Sequence, residues 1–204
     1  MKILYIHGVA SSGKSNTAKV LKEEFGEDNV LSPDIAPKPM EAYSQIKELV
    51  RTFNPNIVVG TSLGGFYASL FGGPIKVLVN PLLTPDEHLA EIIGGYGKYP
   101  YLKERGDGAT EFEYTQEDEE ALRELRRRFN EDFLDTELIG ETFALFGWND
   151  TVVNDIDEYH RIYGTFRELF IPAGHRLTEE QARGALVPWL RFFERAASKR
   201  SNPC

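Results

Sequence analysis

Short apolar, largely β-branched runs recur along this chain with helical patterns between them, and that alternation is the strongest constraint on its fold. Strands are expected at Lys2 to Ile6, Asn29 to Leu31, Ile57 to Val59, Ile75 to Val79 (I-K-V-L-V), Thr142 to Phe146 (T-F-A-L-F) and Arg167 to Ile171 (R-E-L-F-I). Between them, helical stripes are marked by Val20, Leu21 and Phe25, and by Tyr43, Ile46, Leu49 and Val50 within Met40 to Phe53. Further helices are expected at Leu63 to Phe71, Asp155 to Tyr163 and Glu179 to Ala196. Strands joined through helices by short links pair in parallel and bury both faces. The expected class is therefore α/β, with a mostly parallel sheet of about six strands and helices on both faces.

One stretch breaks the rhythm. From about Thr84 to Gly140 no clear strand is visible: the chain is first Gly- and Tyr-rich (I-I-G-G-Y-G-K-Y-P-Y), then acidic (E-F-E-Y-T-Q-E-D-E-E), then basic and helical (A-L-R-E-L-R-R-R-F). Glu119 with Arg123, and Glu124 with Arg128, stand four residues apart, the spacing of a solvated helix face. Long excursions inside a compact domain are often lids, so residues 1–204 read as one domain with an inserted lid or cap over about 84–140. Tyr96, Tyr99 and Tyr101 either line a pocket from that segment or pack within it.

Two motifs compete for the chemistry. Gly8 to Ser15, G-V-A-S-S-G-K-S, matches the phosphate-loop pattern between a strand and a helix, with Lys14 placed to reach terminal phosphates and Ser15 to hold magnesium. Gly60 to Gly64, G-T-S-L-G, follows the strand I-V-V and opens a helix, the setting in which a nucleophilic serine is held out on a sharp turn. Partners decide between them. An activated serine needs a base and an orienting acid, and in the α/β-hydrolase order these follow as acid then histidine, each just past a later strand. Asp150 follows T-F-A-L-F-G-W-N, and His175 follows R-E-L-F-I with P-A-G between. Asp155 and Asp157 are competitors for the acid, but Asp150 comes directly after the strand. A nucleotide hydrolase also needs a magnesium-holding carboxylate at the end of a core strand, whereas I-V-V runs into Gly-Thr-Ser and V-L-V into Asn-Pro. The Gly-Ser-rich loop then serves instead as one side of an oxyanion hole, with the Val9 amide from that loop and the Leu63 amide after the serine.

Composition narrows the alternatives. Lys and Arg number 23 against 32 Asp and Glu, a formal charge of −9 that disfavours nucleic acid and anionic lipid. The one cysteine, Cys204, leaves no internal disulfide and no thiolate cluster. No His-Glu-x-x-His spacing suggests a catalytic metal, and His7 precedes the oxyanion loop, His88 lies in the insertion and His160 falls within an expected helix, so each reads as structural or solvated and no metal or other cofactor is expected. No apolar run reaches the roughly 18 residues of a membrane helix, and the opening M-K-I-L-Y-I reads as a strand rather than a signal, so a cytoplasmic address is expected.

I-H-G-V-A-S-S, G-T-S-L-G-G-F-Y-A, V-L-V-N-P and A-G-H together resemble the small bacterial esterases of the YqiA type, over roughly Met1 to Pro81 and Glu141 to Phe193. The resemblance implies a compact α/β-hydrolase with Ser62 on the family nucleophile, Asp150 on its acid and His175 on its base. The chain departs from that family at Gly13-Lys14, where the family carries a proline-containing segment, and through the acidic middle stretch. The expected function is a metal-independent serine hydrolase acting on a small carboxylic ester or thioester. The competing readings are a phosphate-loop kinase or ATPase using Gly8 to Ser15, and a non-catalytic hydrolase-like binding module.

Overall fold

The computed structural model describes residues 1–132 and 140–200; Cys204, together with residues 133–139 of the expected insertion, lies outside the described residues. In chain order the elements are β1 (Ile3–Ile6), α1 (Asn16–Phe25), β2 (Val30–Leu31), α2 (Pro39–Phe53), β3 (Ile57–Thr61), α3 (Leu63–Ser69), β4 (Ile75–Val79) and α4 (Pro85–Ile93). They continue with β5 (Gly97–Pro100), β6 (Glu111–Tyr114), α5 (Gln116–Asp132), β7 (Thr142–Gly147), α6 (Ile156–Tyr163) and β8 (Glu168–Ile171). A final helical run joins α7 (Glu179–Gln181), a π-helical turn (Ala182–Leu186) and α8 (Val187–Arg200).

Six strands form one sheet in the order β2-β1-β3-β4-β7-β8, and every neighbouring pair is parallel. The six expected strands are these six. Their near-continuous apolar sequence follows from burial on both faces. Ile3, Tyr5, Val59, Val77 and Leu145 pack with Leu21 of α1 and Leu190 of α8. Leu4, Ile6, Val58, Leu78 and Phe146 pack on the opposite side with Ile46, Phe66 and Tyr159 from α2, α3 and α6. Parallel strands all end at one edge, and the loops leaving that edge after β1, β3, β7 and β8 carry Val9, Ser62, Asp150 and His175.

The segment after β4 departs from the sequence expectation, because β5 and β6 form an antiparallel hairpin in which Tyr99 stands opposite Phe112. The alternation in β6 is real, with Phe112 and Tyr114 buried and Glu111 and Glu113 exposed, but it hides inside an acidic run. In β5, Gly97 and Pro100 are poor strand formers and mask the other half. The helix α5 is solvated on one face only. There Arg123 meets Glu119 at 2.8 Å and Arg128 meets Glu124 at 2.7 Å, while Leu122, Leu125 and Phe129 enter the core. Among the described residues no helix is long and apolar enough to cross a membrane.

Candidate active site

Ser62 occupies the turn between β3 and α3 at φ 53°, ψ −124°, a left-handed backbone that few non-glycine residues adopt. Neighbouring chain enforces this geometry. The Ser62 amide donates to the Val79 carbonyl at 3.0 Å, and its own carbonyl accepts from Gly65 at 2.8 Å and from Leu82 at 3.1 Å. The flanking glycines are sterically required: a Cβ on Gly60 would lie 2.3 Å from the Gly64 carbonyl oxygen, and one on Gly64 would lie 2.2 Å from that of Ile6. The loop after β1 closes on the same point, since a Cβ on Gly8 would stand only 2.9 Å from Ser62 Cβ.

Asp150 and His175 meet across the ends of β7 and β8, with His175 Nδ1 2.8 Å from Asp150 Oδ2. The other carboxylate oxygen, Oδ1, accepts from the amides of Val152 at 2.8 Å and Val153 at 3.0 Å. Burial raises the carboxyl's proton affinity, but the His175 contact and those two amides outweigh it and hold Asp150 below the usual carboxylate range. A carboxylate fixed on both oxygens orients the imidazole, and among the described residues the other ring nitrogen, Nε2, has no hydrogen-bond partner. Ser62 and His175 line one cavity of about 190 Å³ together with Gly8 and Val9. Among the described residues the amides of Val9 and Leu63 have no acceptor, which leaves both free to donate to a ligand. A second cavity of about 40 Å³, mainly apolar, shares Gly8 and Val9 with the first and is walled by Tyr67, Tyr101, Phe112 and Tyr114.

The competing acids and histidines fall elsewhere. Asp155 is buried and accepts from the Leu83 amide at 2.6 Å and the Thr84 amide at 2.8 Å, so it anchors the start of α4 rather than His175. His7 is buried, donates through Nδ1 to the Gly8 carbonyl at 2.8 Å, and accepts at Nε2 from the Ile35 amide at 3.0 Å. Burial lowers its proton affinity, and the neutral ring fixes the start of the loop carrying Val9. His160 contacts Glu168, and His88 contacts Thr84. Of the three tyrosines singled out from the sequence, only Tyr101 lines a described cavity; Tyr96 bonds Glu119, and Tyr99 packs on Phe112. Among the described residues no three His, Cys, Asp or Glu side chains gather into a metal-holding group.

Gly13, Lys14 and Ser15 of the phosphate-loop motif each have structural partners. The Gly13 amide donates to Asp34 Oδ1 at 2.8 Å, and Asp34 Oδ2 accepts from the Gly106 amide at 2.5 Å, so one carboxylate clasps this loop to the segment after β5. Gly13 itself is needed because a Cβ there would lie 2.0 Å from the Ser32 carbonyl oxygen. Lys14 pairs with Glu104 at 2.9 Å, and Ser15 caps α1 by accepting from the Ala18 amide. Sequence reasoning also passed over Asn80, buried at the end of β4. Its Nδ2 donates to the carbonyls of Gly174 and His175, both at 3.0 Å, while its Oδ1 accepts from the Gly147 amide at 2.7 Å. It thereby joins the two loops that present Asp150 and His175. The one local signal was a polar residue directly at a core strand's carboxyl end.

Residues 2–158 match the model of the uncharacterised protein family UPF0227, a span that includes Ser62 and Asp150 and ends before His175. A UPF0227 protein of Serratia proteamaculans (strain 568) is 29% identical over 97 residues, 43% of this chain and 54% of that protein. The match thus spans about half the length of this curated relative. Among solved structures, Est1E from Butyrivibrio proteoclasticus is similar with a TM-score of 0.63 at 17% identity, covering 96% of this chain and 88% of that one. A monoacylglycerol lipase of Paleococcus ferrophilus gives 0.63 at 16% identity, covering 94% of each chain. The α/β-hydrolase domain-containing protein 10 from mouse gives 0.65 at 14% identity, covering 96% and 90%. At these identities the likeness concerns the fold, which is that of the α/β-hydrolases.

Proposed function

We propose, from the premise that this chain belongs to the UPF0227 family and has the α/β-hydrolase fold, that it is a serine hydrolase cleaving carboxylic esters or thioesters. In this reading Ser62 Oγ attacks the carbonyl carbon while His175 Nε2 takes its proton. Asp150, bound to Nδ1, keeps the ring in the right tautomer and stabilises its charged form. The amides of Val9 and Leu63 donate to the developing oxyanion. Collapse of the tetrahedral intermediate expels the alcohol or thiol, which receives the proton from His175 and leaves an acyl-Ser62. Water, deprotonated by the same histidine, then attacks the acyl carbon and releases the acid, with the proton returning to Ser62.

The observation that carries this reading is the convergence of Ser62, held at φ 53°, and the Asp150-bound His175 on one cavity. The insertion at about 84–140 is read as a cap, since Leu102 and Lys103 line the same cavity and Tyr101 the apolar one beside it. The substrate is accordingly a small-molecule ester or thioester, and one domain suffices for the chemistry. Hydrolysis of p-nitrophenyl butyrate by the wild type and by Ser62→Ala tests the reading. Loss of about four to six powers of ten in kcat with an unchanged circular dichroism spectrum is expected. Turnover of Ser62→Ala at the wild-type rate refutes it.

A further inference from the structure

The inference here rests on the reading of Ser62 and His175 just given, and concerns what the leaving group carries. The cavity holding those two residues is also lined by Lys103 and Arg176, and no Asp or Glu is among its lining residues. That local balance runs against a chain whose formal charge is −9. The acidic run responsible for much of the excess is spent elsewhere: Glu111 faces Lys98, Asp118 binds Lys38, and Glu119 binds Arg123 and Tyr96.

Most arginines of this protein face carboxylates, as Arg51 does Glu48 and Arg126 does Asp86. Among the described residues neither Lys103 nor Arg176 forms such a pair. Lys103 Nζ donates only a long 3.4 Å bond to Asn16 Oδ1, and Glu179, the carboxylate whose field reaches it, is already taken by Lys19 at 2.8 Å. Two exposed cations without ion-pair partners on the wall of a concave site raise its positive potential and attract an anion, most strongly at low ionic strength.

Their position relative to the reaction tells which half of the substrate the anion belongs to. His175 must hand its proton to the departing oxygen or sulfur, so the leaving group lies on the His175 side. Arg176 directly follows His175, and both line the larger cavity with Lys103. The small cavity, which shares Gly8 and Val9 with the larger one and is walled by Tyr67, Tyr101, Phe112 and Tyr114, suits an apolar acyl group and lacks an ionised partner for a charged one. We propose that the natural substrate is an ester or thioester whose alcohol or thiol half carries an anionic oxygen group, carboxylate or phosphate, received by Lys103 and Arg176.

Matched substrates test this. p-Nitrophenyl butyrate is compared with 3-carboxy-4-nitrophenyl butyrate, and S-butyryl pantetheine with S-butyryl phosphopantetheine, each corrected for its reactivity with hydroxide. At about 20 mM ionic strength the anionic member of at least one pair is expected to show a kcat/KM about tenfold above its neutral counterpart, mainly through KM. The pair that responds identifies carboxylate or phosphate as the source. That ratio is expected to fall toward one in the Lys103→Ala, Arg176→Ala double variant and, in the wild type, on adding about 0.5 M salt. Equal values within both pairs in the wild type, or a ratio unmoved by salt and by the double variant, overturn the inference while leaving the triad reading intact. No hydrolysis of any of the four by folded protein overturns the Ser62 reading and this inference with it.

Discussion

Removal of the Asp34 carboxylate is a sharp test of how the loop bearing Val9 is held. Asp34 is half-buried and accepts two backbone hydrogen bonds, from Gly13 at 2.8 Å and from Gly106 at 2.5 Å. Bonds to an ionised acceptor are worth about 1.5–3 kcal/mol each, a gross value of about 3–6 kcal/mol for the pair. The Gly106 end is exposed, so water recovers much of its share once the carboxylate is gone. Asp34→Ala is therefore expected to lose about 3 kcal/mol, which for a domain of this size lowers Tm by about 9 °C. Asp34→Asn keeps one acceptor oxygen but turns an NH2 toward the second amide, and should lose an intermediate amount. Because the clasped loop carries Val9, kcat for p-nitrophenyl butyrate should fall by about tenfold in Asp34→Ala at temperatures where the variant is folded. Thermal and urea unfolding followed by circular dichroism measure the first quantity, and steady-state kinetics the second. Stability within about 0.5 kcal/mol of wild type would refute the reasoning, since that is the change expected of a surface residue holding nothing.

Gly64→Ala should prevent folding or cost upward of about 3 kcal/mol, because its Cβ would meet the Ile6 carbonyl oxygen at 2.2 Å; ordinary solubility with a native melting curve would contradict the packing described. Asp150→Asn should lower kcat by about three to four powers of ten with the fold retained, as measured on p-nitrophenyl butyrate. It should also change the pH dependence of stability. Asp150 binds its proton more weakly folded than unfolded, so its contribution is fully present above the unfolded carboxylate value near about 4 and is lost as pH falls through the lower folded value. The stability gap between wild type and Asp150→Asn should accordingly shrink below about pH 4 in urea titrations; a gap constant across that range would count against the assigned contacts.

The sheet was legible because its signal is local. Five- and six-residue apolar strands such as I-K-V-L-V and T-F-A-L-F declare themselves, and Ser62, Asp150 and His175 each directly follow one or open a turn beside it. The hairpin was illegible because its alternation coincides with an acidic run and its first strand contains Gly97 and Pro100. Asn80, Asp34 and Asp155 act through partners 21 to 95 residues away, and no short pattern encodes such contacts. Likewise the charge of −9 gave no hint that Lys103 and Arg176 share the cavity of Ser62, since net charge averages over a surface whose acidic part lies elsewhere. The phosphate-loop match is a short pattern whose residues have structural partners of their own. A close backbone approach accounts for Gly13 and a helix cap for Ser15.

In the proposed mechanism Ser62 is a nucleophile activated by His175. The most direct test is reaction of the purified protein with a fluorophosphonate, followed by peptide mass spectrometry to locate the adduct. Stoichiometric modification at Ser62 is expected, lost in Ser62→Ala and slowed by orders of magnitude in His175→Ala. An unmodified Ser62 in folded wild-type protein, or an adduct on another residue that persists in Ser62→Ala, would contradict that mechanism.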